Sequence, residues 1–449
     1  MMTSWKMTRR AALRLSAAGA ALPLVHVRTG RAAGTIKVAF WDHWVPGANT
    51  ILQQQVQDWA KKNNVTAEVD FITSEGNKLQ LTAAAEAQAG MGHDLMTFFT
   101  WDVHNHSTKL ASAENLVKQL EAAAGPFNNV SNYLANIRGQ WMAVPTSWGT
   151  QTKPSCARIS WFKKYIGKDP TELYPAHQVN PPEASDWTYD GLFWQAAQAA
   201  QKDGKDFGLG LGQTTDSVDW VGALFSSYGA ELVDTKGNPQ VKSDAVRQVL
   251  EYADKLIKVL PADAVSYDDA SNNRALVSGK SALIFNPPSA WAVAKRDAPK
   301  IAADLWTFPN PAGPKGRFIP FLGFFWGAWK FSKNQSAVFD LIHTLMQRAS
   351  VEQREPHTVG YDLPPQNSMM NFDIWSQVEP PKGTVFNYPI RPWHQAEASI
   401  AAYPAPPEIA VQIYNTATMP TMLAKLKSGS SVKDVIAWAD DQVGGFSEP

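Results

Sequence analysis

Cysteine is nearly absent: Cys156 is the only one in 449 residues. An intrachain disulfide and a thiolate metal site are therefore excluded. Catalysis by Cys156 would need a histidine brought beside it by the fold, and a buried spectator thiol is the expectation. Long apolar runs are also missing; none reaches the roughly 20 residues needed to span a bilayer. Acid is missing from residues 1–33, which carry Lys6, Arg9, Arg10, Arg14, Arg28 and Arg31. The whole chain has 41 basic and 41 acidic residues, so without those six the remainder has a net charge of −6. A mildly acidic body argues against nucleic acid or an anionic membrane as partner. No nucleophile elbow, phosphate loop or metal-ligand triad appears. Gly208-Leu209-Gly210-Leu211-Gly212 lacks the spacing of a dinucleotide fingerprint, and no acid follows it at the required distance.

What is present begins with the basic end. Met7-Thr8-Arg9-Arg10-Ala11-Ala12-Leu13 resembles a twin-arginine export signal: an arginine pair, a weakly apolar stretch from Ala11 to Val27, then small residues Ala32-Ala33-Gly34. Ala12 stands where phenylalanine is common, and Arg14 interrupts the apolar run. Residues 1–33 are therefore expected to be a cleaved leader that delivers a folded chain to the periplasm. No cysteine lies near the cleavage region, so no lipid anchor is expected. The remainder is long enough for two domains. It is also rich in tryptophan, with 18. An indole is costly to bury unless its N–H finds a partner, so so many suggest flat stacking surfaces as well as core.

The local patterns give an α/β order. Ile36–Phe40 alternates as a strand does. Thr50-Ile51-Leu52-Gln53 reads as a capping box opening a helix, and Lys61-Lys62-Asn63-Asn64 closes it with charge suited to a helix C-terminus. Val65 to Phe71 alternates again, a helix over 83–89 ends at Gly90, and Asp94–Phe99 reads as a third strand. This β-α-β-α-β run requires parallel strands. Helix faces recur at Val246, Val249, Leu250, Ala253 and Ile257, and at Val338, Leu341, Ile342, Leu345 and Met346. A last helix opens with a capping box at Ser431–Asp434. Proline- and glycine-rich stretches at 180–182, 309–316, 364–365 and 404–407 punctuate the chain, without a flexible linker.

Several motifs in order carry a resemblance. Ile36–Trp44 is a first strand ending in a Trp-rich tip. Gly139-Gln140-Trp141-Met142-Ala143-Val144-Pro145 is similar to a "G-K-x-Y-A-V-P" crossover, and Trp161-Phe162-Lys163-Lys164-Tyr165-Ile166-Gly167 to the helix that follows it. Asn180-Pro181-Pro182 through Trp187, Phe207-Gly208-Leu209-Gly210, Ser278-Gly279-Lys280-Ser281-Ala282-Leu283 with Trp291 after it, and Phe308-Pro309-Asn310-Pro311-Ala312-Gly313-Pro314 continue the series. Together they resemble the family 1 extracellular solute-binding proteins of ABC importers, the group that contains the maltose-binding protein, over most of residues 35–445. The resemblance implies a periplasmic-binding-protein-like α/β fold: two discontinuous lobes joined by a hinge, with a ligand cleft between them. It places lobe one near 35–145 plus 287–345 and lobe two near 146–286 plus 346–449. It implies no catalytic residue and no cofactor. It further implies a monomer in the periplasm that captures a small solute, a sugar or polyol, and hands it to a membrane ABC permease.

The ligand site is expected where open parallel sheets hold their ligands, just beyond the C-terminal ends of the strands. Trp41, Asp42, His43 and Trp44 follow the first strand; Trp101, Asp102 and His104 follow the third. A sugar has apolar C–H faces that suit an indole and a hydroxyl rim that suits carboxylates and amides. Trp148, Asp219 and Trp220 are the candidates from lobe two. Trp291 and Phe324-Phe325-Trp326 are candidates near the return crossover, with Tyr361-Asp362 as a further pair. Each has a structural rival: Asp42 as a helix cap, His43 and His104 as ordinary hydrogen-bonding groups, Phe324–Trp329 as a buried strand, Asp268-Asp269 as an exposed loop or cap. His104-Asn105-His106 lacks a third ligand, so no metal is expected. The alternative function is a secreted carbohydrate hydrolase using Asp42 and Asp102 as paired carboxylates across a Trp-lined cleft. Lys153, Arg158 and Arg391 stay unplaced by sequence.

Overall fold

Alternation and capping fix the first elements. Strand β1 (Thr35–Trp41) buries Ile36 and then Val38 through Trp41. Helix α1 (Pro46–Asn63) starts four residues before the expected capping box, because Pro46 sits in its first turn, where a missing N–H costs nothing. It ends as expected, with Lys61 and Lys62 in the last turn and Asn64 left-handed. β2 (Thr66–Ile72), α2 (Lys78–Ala89) and β3 (Leu95–Phe99) follow, and Gly90 caps α2 at φ 66°. β1 pairs in parallel with both β2 and β3, as the β-α-β reading requires. Two short strands, β4 (Val144–Pro145) and β5 (Gln151–Thr152), lead to β6 (Ser155–Arg158) and β7 (Asp206–Phe207). Helices α3 (Thr215–Tyr228), α4 (Asp244–Leu256) and α5 (Ser271–Ser278) precede β8 (Ser281–Phe285) and β9 (Leu305–Phe308). Then come β10 (Gly316–Leu322), β11 (Phe324–Ala328), α6 (Gln335–Leu345) and α7 (Arg348–Thr358). The chain ends in β12 (Glu397–Ser399), α8 (Pro407–Asn415), α9 (Thr418–Lys427) and α10 (Val432–Phe446). α10 opens with the anticipated capping box: the Asp434 N–H donates to Ser431 Oγ at 3.1 Å, and Ser431 Oγ donates to Asp434 at 2.7 Å.

This computed structural model describes residues 34–174, 186–286, 289–358, 361–369, 372 and 397–446. The basic leader, the Asn180-Pro181-Pro182 stretch and Arg391 lie outside the described residues.

Two sheets organise the α/β body. The first has the order β2-β1-β3-β11-β4, and the second β9-β6-β8-β7. Between them β10 pairs with β5 and with β12, so three separate stretches of chain meet where the sheets join. The chain passes from the first sheet at β4 to the second at β6. The return comes later in the chain. β9 still belongs to the second sheet, pairing with β6, and the first sheet is regained only at β11. α7 then packs on α1, with Gln55 donating to the Ser350 carbonyl at 2.9 Å and Arg354 donating to Gln55 at 2.9 Å. Residues 348–358 thus accompany the first sheet, although they were expected in lobe two. The cause is the buried Arg354, whose guanidinium needs acceptors; it finds Gln55, the Leu345 carbonyl and Ser147. A sequence pattern does not reveal such long-range partners.

Candidate functional site

The end of β1 builds an aromatic wall. The Trp41 ring packs tilted on Phe324, with centroids 5.1 Å apart, and edge-on to Phe99 at 6.2 Å. Tyr361 lies 6.0 Å from it on another side. Two bonds hold this tip in place. Trp41 Nε1 donates to Ser74 Oγ at 3.3 Å, and Trp148 Nε1 donates to the Trp41 carbonyl at 3.1 Å. His43 sits behind it. Its Nδ1 accepts the Val45 N–H at 2.9 Å, which leaves the proton on Nε2 to donate to Asp362 at 2.8 Å. The same Asp362 oxygen accepts the Gly149 N–H at 2.9 Å. A Cβ on Gly149, at φ +133°, would lie 2.4 Å from the Phe324 ring, so this crossover residue must be glycine for the wall to close.

A polar wall comes from the other sheet. Thr214 caps α3 by accepting the Ser217 N–H, which places Thr215 and Asp216 in the first turn and Asp219 one turn further on the same face. Lys153 enters from the short link between β5 and β6 and is 1% exposed. Its Nζ lies 2.7 Å from Asp216 and 2.7 Å from Asp219. Tyr414 donates to the other Asp219 oxygen at 2.9 Å. Asn272 holds the second Asp216 oxygen at 2.9 Å, and Asn286 in turn donates to Asn272 at 2.9 Å. Burial alone would lower the Lys153 ammonium, but Asp216, Asp219 and Asp269 outweigh it and hold the group above its ordinary value. Burial pushes Asp219 up to about 6 against the pull of Lys153. Burial and then the Asp216 charge raise Asp269 well above the usual carboxylate range.

The two walls face each other across a cleft with about 450 Å³ of free space, counting its open mouth. Trp41, Trp44, Ser74, Gln80, Phe99 and Phe324 line one side. Lys153, Thr215, Asp216, Asp269, Asn286 and Ser289 line the other, with Leu322 and Tyr361 at the junction. Trp44 packs against both the main core and the separate cluster of Cys156, Ile284, Trp291 and Leu305. It therefore spans from the first sheet's tip to the second.

Of the residues singled out from sequence, Trp41, Trp44 and Phe324 are brought into the lining, and Tyr361 of the further pair joins them. The others are placed elsewhere. Asp42 is exposed and accepts from Asn49 at 2.7 Å. His43 and Trp148 are buried behind the aromatic wall. Trp101 is 1% exposed and packs edge-on to Tyr133 and His104, because the chain turns into a short helix at Asp102 and folds the indole inward. Asp102 accepts the Phe99 N–H at 3.0 Å and closes that turn; burial raises it to about 7. Asp219 stands behind Lys153, supporting the polar wall without lining the cleft. Trp220 gives its N–H to the Gly210 carbonyl at 2.7 Å and fills core beside Phe285. Trp291 is buried with Cys156 and Ile284, and Trp326 is buried edge-on to Phe40 in the middle of the first sheet. Neither Asp42 nor Asp102 lines the cleft, so the carboxylate pair of the hydrolase reading is not assembled there. Asp269, expected on an exposed loop or cap, lines the cleft instead. Lys153, Asp216 and Asn286 were not picked from sequence. Only Asp216 left a signal, lying three residues before Asp219 on a helix opened by Thr214.

Residues 54–376 match the family model of the bacterial extracellular solute-binding proteins. This chain belongs to that family. A solute-binding protein of this kind takes up ligand without transforming it. A probable ABC transporter-binding protein of Deinococcus radiodurans is 26% identical over 190 residues, covering 39% of this chain and 43% of that relative. The chain thus aligns with less than half the length of the curated relative it matches. Three solved structures share the fold. The maltose-bound protein of T. maritima superimposes with a TM-score of 0.71 at 18% identity, covering 92% of this chain and 99% of that one. The tagatose-bound ABC transporter solute-binding protein of Thermotoga lettingae TMO does so at 0.71 and 15%, covering 92% and 100%. The laminaribiose-bound sugar transporter of Arthrobacter chlorophenolicus A6 does so at 0.68 and 15%, covering 92% and 99%. The solute-binding fold of two discontinuous α/β lobes about a hinge, anticipated from the motif order, is thereby shown.

Proposed function

We propose that this solute-binding protein captures a small saccharide in the cleft between its two sheets and presents it to the permease of an ABC importer. The observation that carries the reading is the pairing of walls: an aromatic face of Trp41, Trp44 and Phe324 opposite a hydrogen-bonding face of Asp216, Asp269 and Asn286. A sugar ring needs both at once, a flat apolar surface for its C–H face and oxygen and amide groups for its hydroxyl rim. The named ligands of the solved relatives, maltose, tagatose and laminaribiose, are of this class. Because the walls come from different sheets, a ligand contacting both stabilises the closed arrangement by its differential affinity for it.

On this reading lobe one comprises 35–145 with the return from β11 through residue 369, and lobe two comprises 146–313 with the chain from 397 onward. Residues 1–33 act as a twin-arginine leader, removed on export to the periplasm, and the mature chain works as a monomer. The test is a thermal-shift screen of the mature chain against sugars, polyols and small acids. Stabilisation by one or more sugars without turnover is expected. Stabilisation by small acids alone would overturn the saccharide reading. For the leader, replacing Arg9 and Arg10 by lysine should leave the chain in the cytoplasmic fraction; unaltered export would remove it.

A further inference from the structure

The polar wall of the cleft sets three carboxyl groups against one cation. Lys153 is buried, and its single ammonium is shared between Asp216 and Asp219. Asp269 is the third carboxylate. It lines the cleft, its Oδ1 accepts the Asp216 N–H at 3.3 Å, and Asp216 repels it. Lys153, the nearby cation that offsets that charge, is already engaged twice. The neighbouring amide donors are turned onto the wall itself. Asn272 Nδ2 serves Asp216, while Asn286 Nδ2 serves Asn272 and Asn273 at 2.9 and 2.5 Å. Across the cleft Gln80 Oε1 is buried with no donor. The polar wall thus sets three carboxyl groups against one ammonium, and Gln80 Oε1 opposite lacks a donor, an arrangement that costs free energy until a ligand supplies charge-assisted donors.

We propose that the cleft is built for an amino sugar, its protonated amine set against Asp269 and Asp216 and its C–H face on Trp44 and Trp41. This rests on the saccharide reading above and adds the sign of the ligand's charge. A hydroxyl satisfies an acceptor but does nothing to offset the repulsion between Asp269 and Asp216. An ammonium supplies three donors and the charge, in bonds roughly twice as strong as neutral ones. A sugar acid or sugar phosphate would bring a further acidic group to a site with three carboxyls and one cation, and repulsion opposes it.

The test is calorimetric titration of the full-length mature chain at pH 7 with matched sets: D-glucose, D-glucosamine and N-acetyl-D-glucosamine, and the galactose and mannose equivalents. In at least one set the amine should bind about tenfold or more tighter than the hydroxyl sugar, with N-acetylation removing the advantage and added salt shrinking it. Asp269→Asn should bring the amine-to-hydroxyl ratio towards one; circular dichroism checks that the variant is folded, and the acetylation and salt arms need no variant. Hydroxyl sugars binding as well as or better than every amine would overturn this inference while leaving the saccharide cleft standing. Binding by no sugar of any set would overturn both.

Discussion

Replacing Lys153 by methionine isolates the electrostatics of the polar wall. Methionine nearly matches the side-chain length and leaves the apolar stem packed, so the loss is the ammonium. Lys153 is 1% exposed and makes two contacts of 2.7 Å to carboxylates. Removing one partner of a buried ion pair costs about 3–5 kcal/mol, because the remaining charges are left uncompensated. Here two carboxylates lose their cation and a third loses its nearby positive charge, so the cost should fall at the upper end, about 5 kcal/mol at pH 8. The pH dependence gives a second reading. A carboxylate raised in the folded state holds a proton that the unfolded chain has released. Its contribution therefore falls as pH rises from about 4 to the folded value. Asp219, at about 6 with Lys153 beside it, rises further without it, which widens and steepens that window. The stability deficit of Lys153→Met should thus be largest near pH 8 and should narrow towards pH 5. Urea denaturation of wild type and variant at pH 5, 6.5 and 8 measures it. A deficit below about 1 kcal/mol, or one that does not change with pH, would show that Lys153 is not the counter-ion of this wall.

Three further outcomes follow from the same geometry. Trp44→Ala should weaken sugar binding about tenfold or more with little loss of stability, since Trp44 is half-buried and lines the cleft; titration calorimetry checks this. Trp101→Ala should behave in the opposite way, losing about 3–5 kcal/mol of stability while the folded fraction keeps its affinity, and Trp101→Phe should cost far less because the indole N–H is buried without a partner; denaturation with parallel titration distinguishes the two. Gly149→Ala should lower both stability, by about 1–3 kcal/mol, and affinity, because the new methyl would lie 2.4 Å from the Phe324 ring; a variant with wild-type values in both assays would contradict that crowding.

The sequence alone determined what depends on neighbours along the chain. Alternation placed β1, β2 and β3, and their parallel pairing followed from the helices between them. The Ser431–Asp434 box located the start of α10, and a left-handed Asn64 ended α1. The ordered motifs pointed to the solute-binding family and its fold, because spacing survives as pattern even at low identity. Trp41 and Trp44 were legible as cleft residues by the same logic, since the C-terminal tip of a parallel strand is where such sheets meet a ligand. The tertiary structure alone decided which side chains turn outward and which distant groups converge. Trp101 and Trp148 sit at equally suggestive positions, yet one is folded inward at the turn of Asp102 and the other gives its N–H to the Trp41 carbonyl. Lys153, Asp216 and Asp269 come from a short link between strands, a helix N-terminus and a loop far apart in sequence. Only Asp216, on the helix opened by Thr214, leaves a local signal. A charge network of this kind exists only once the chain has removed its members from water together, because only then do they need one another.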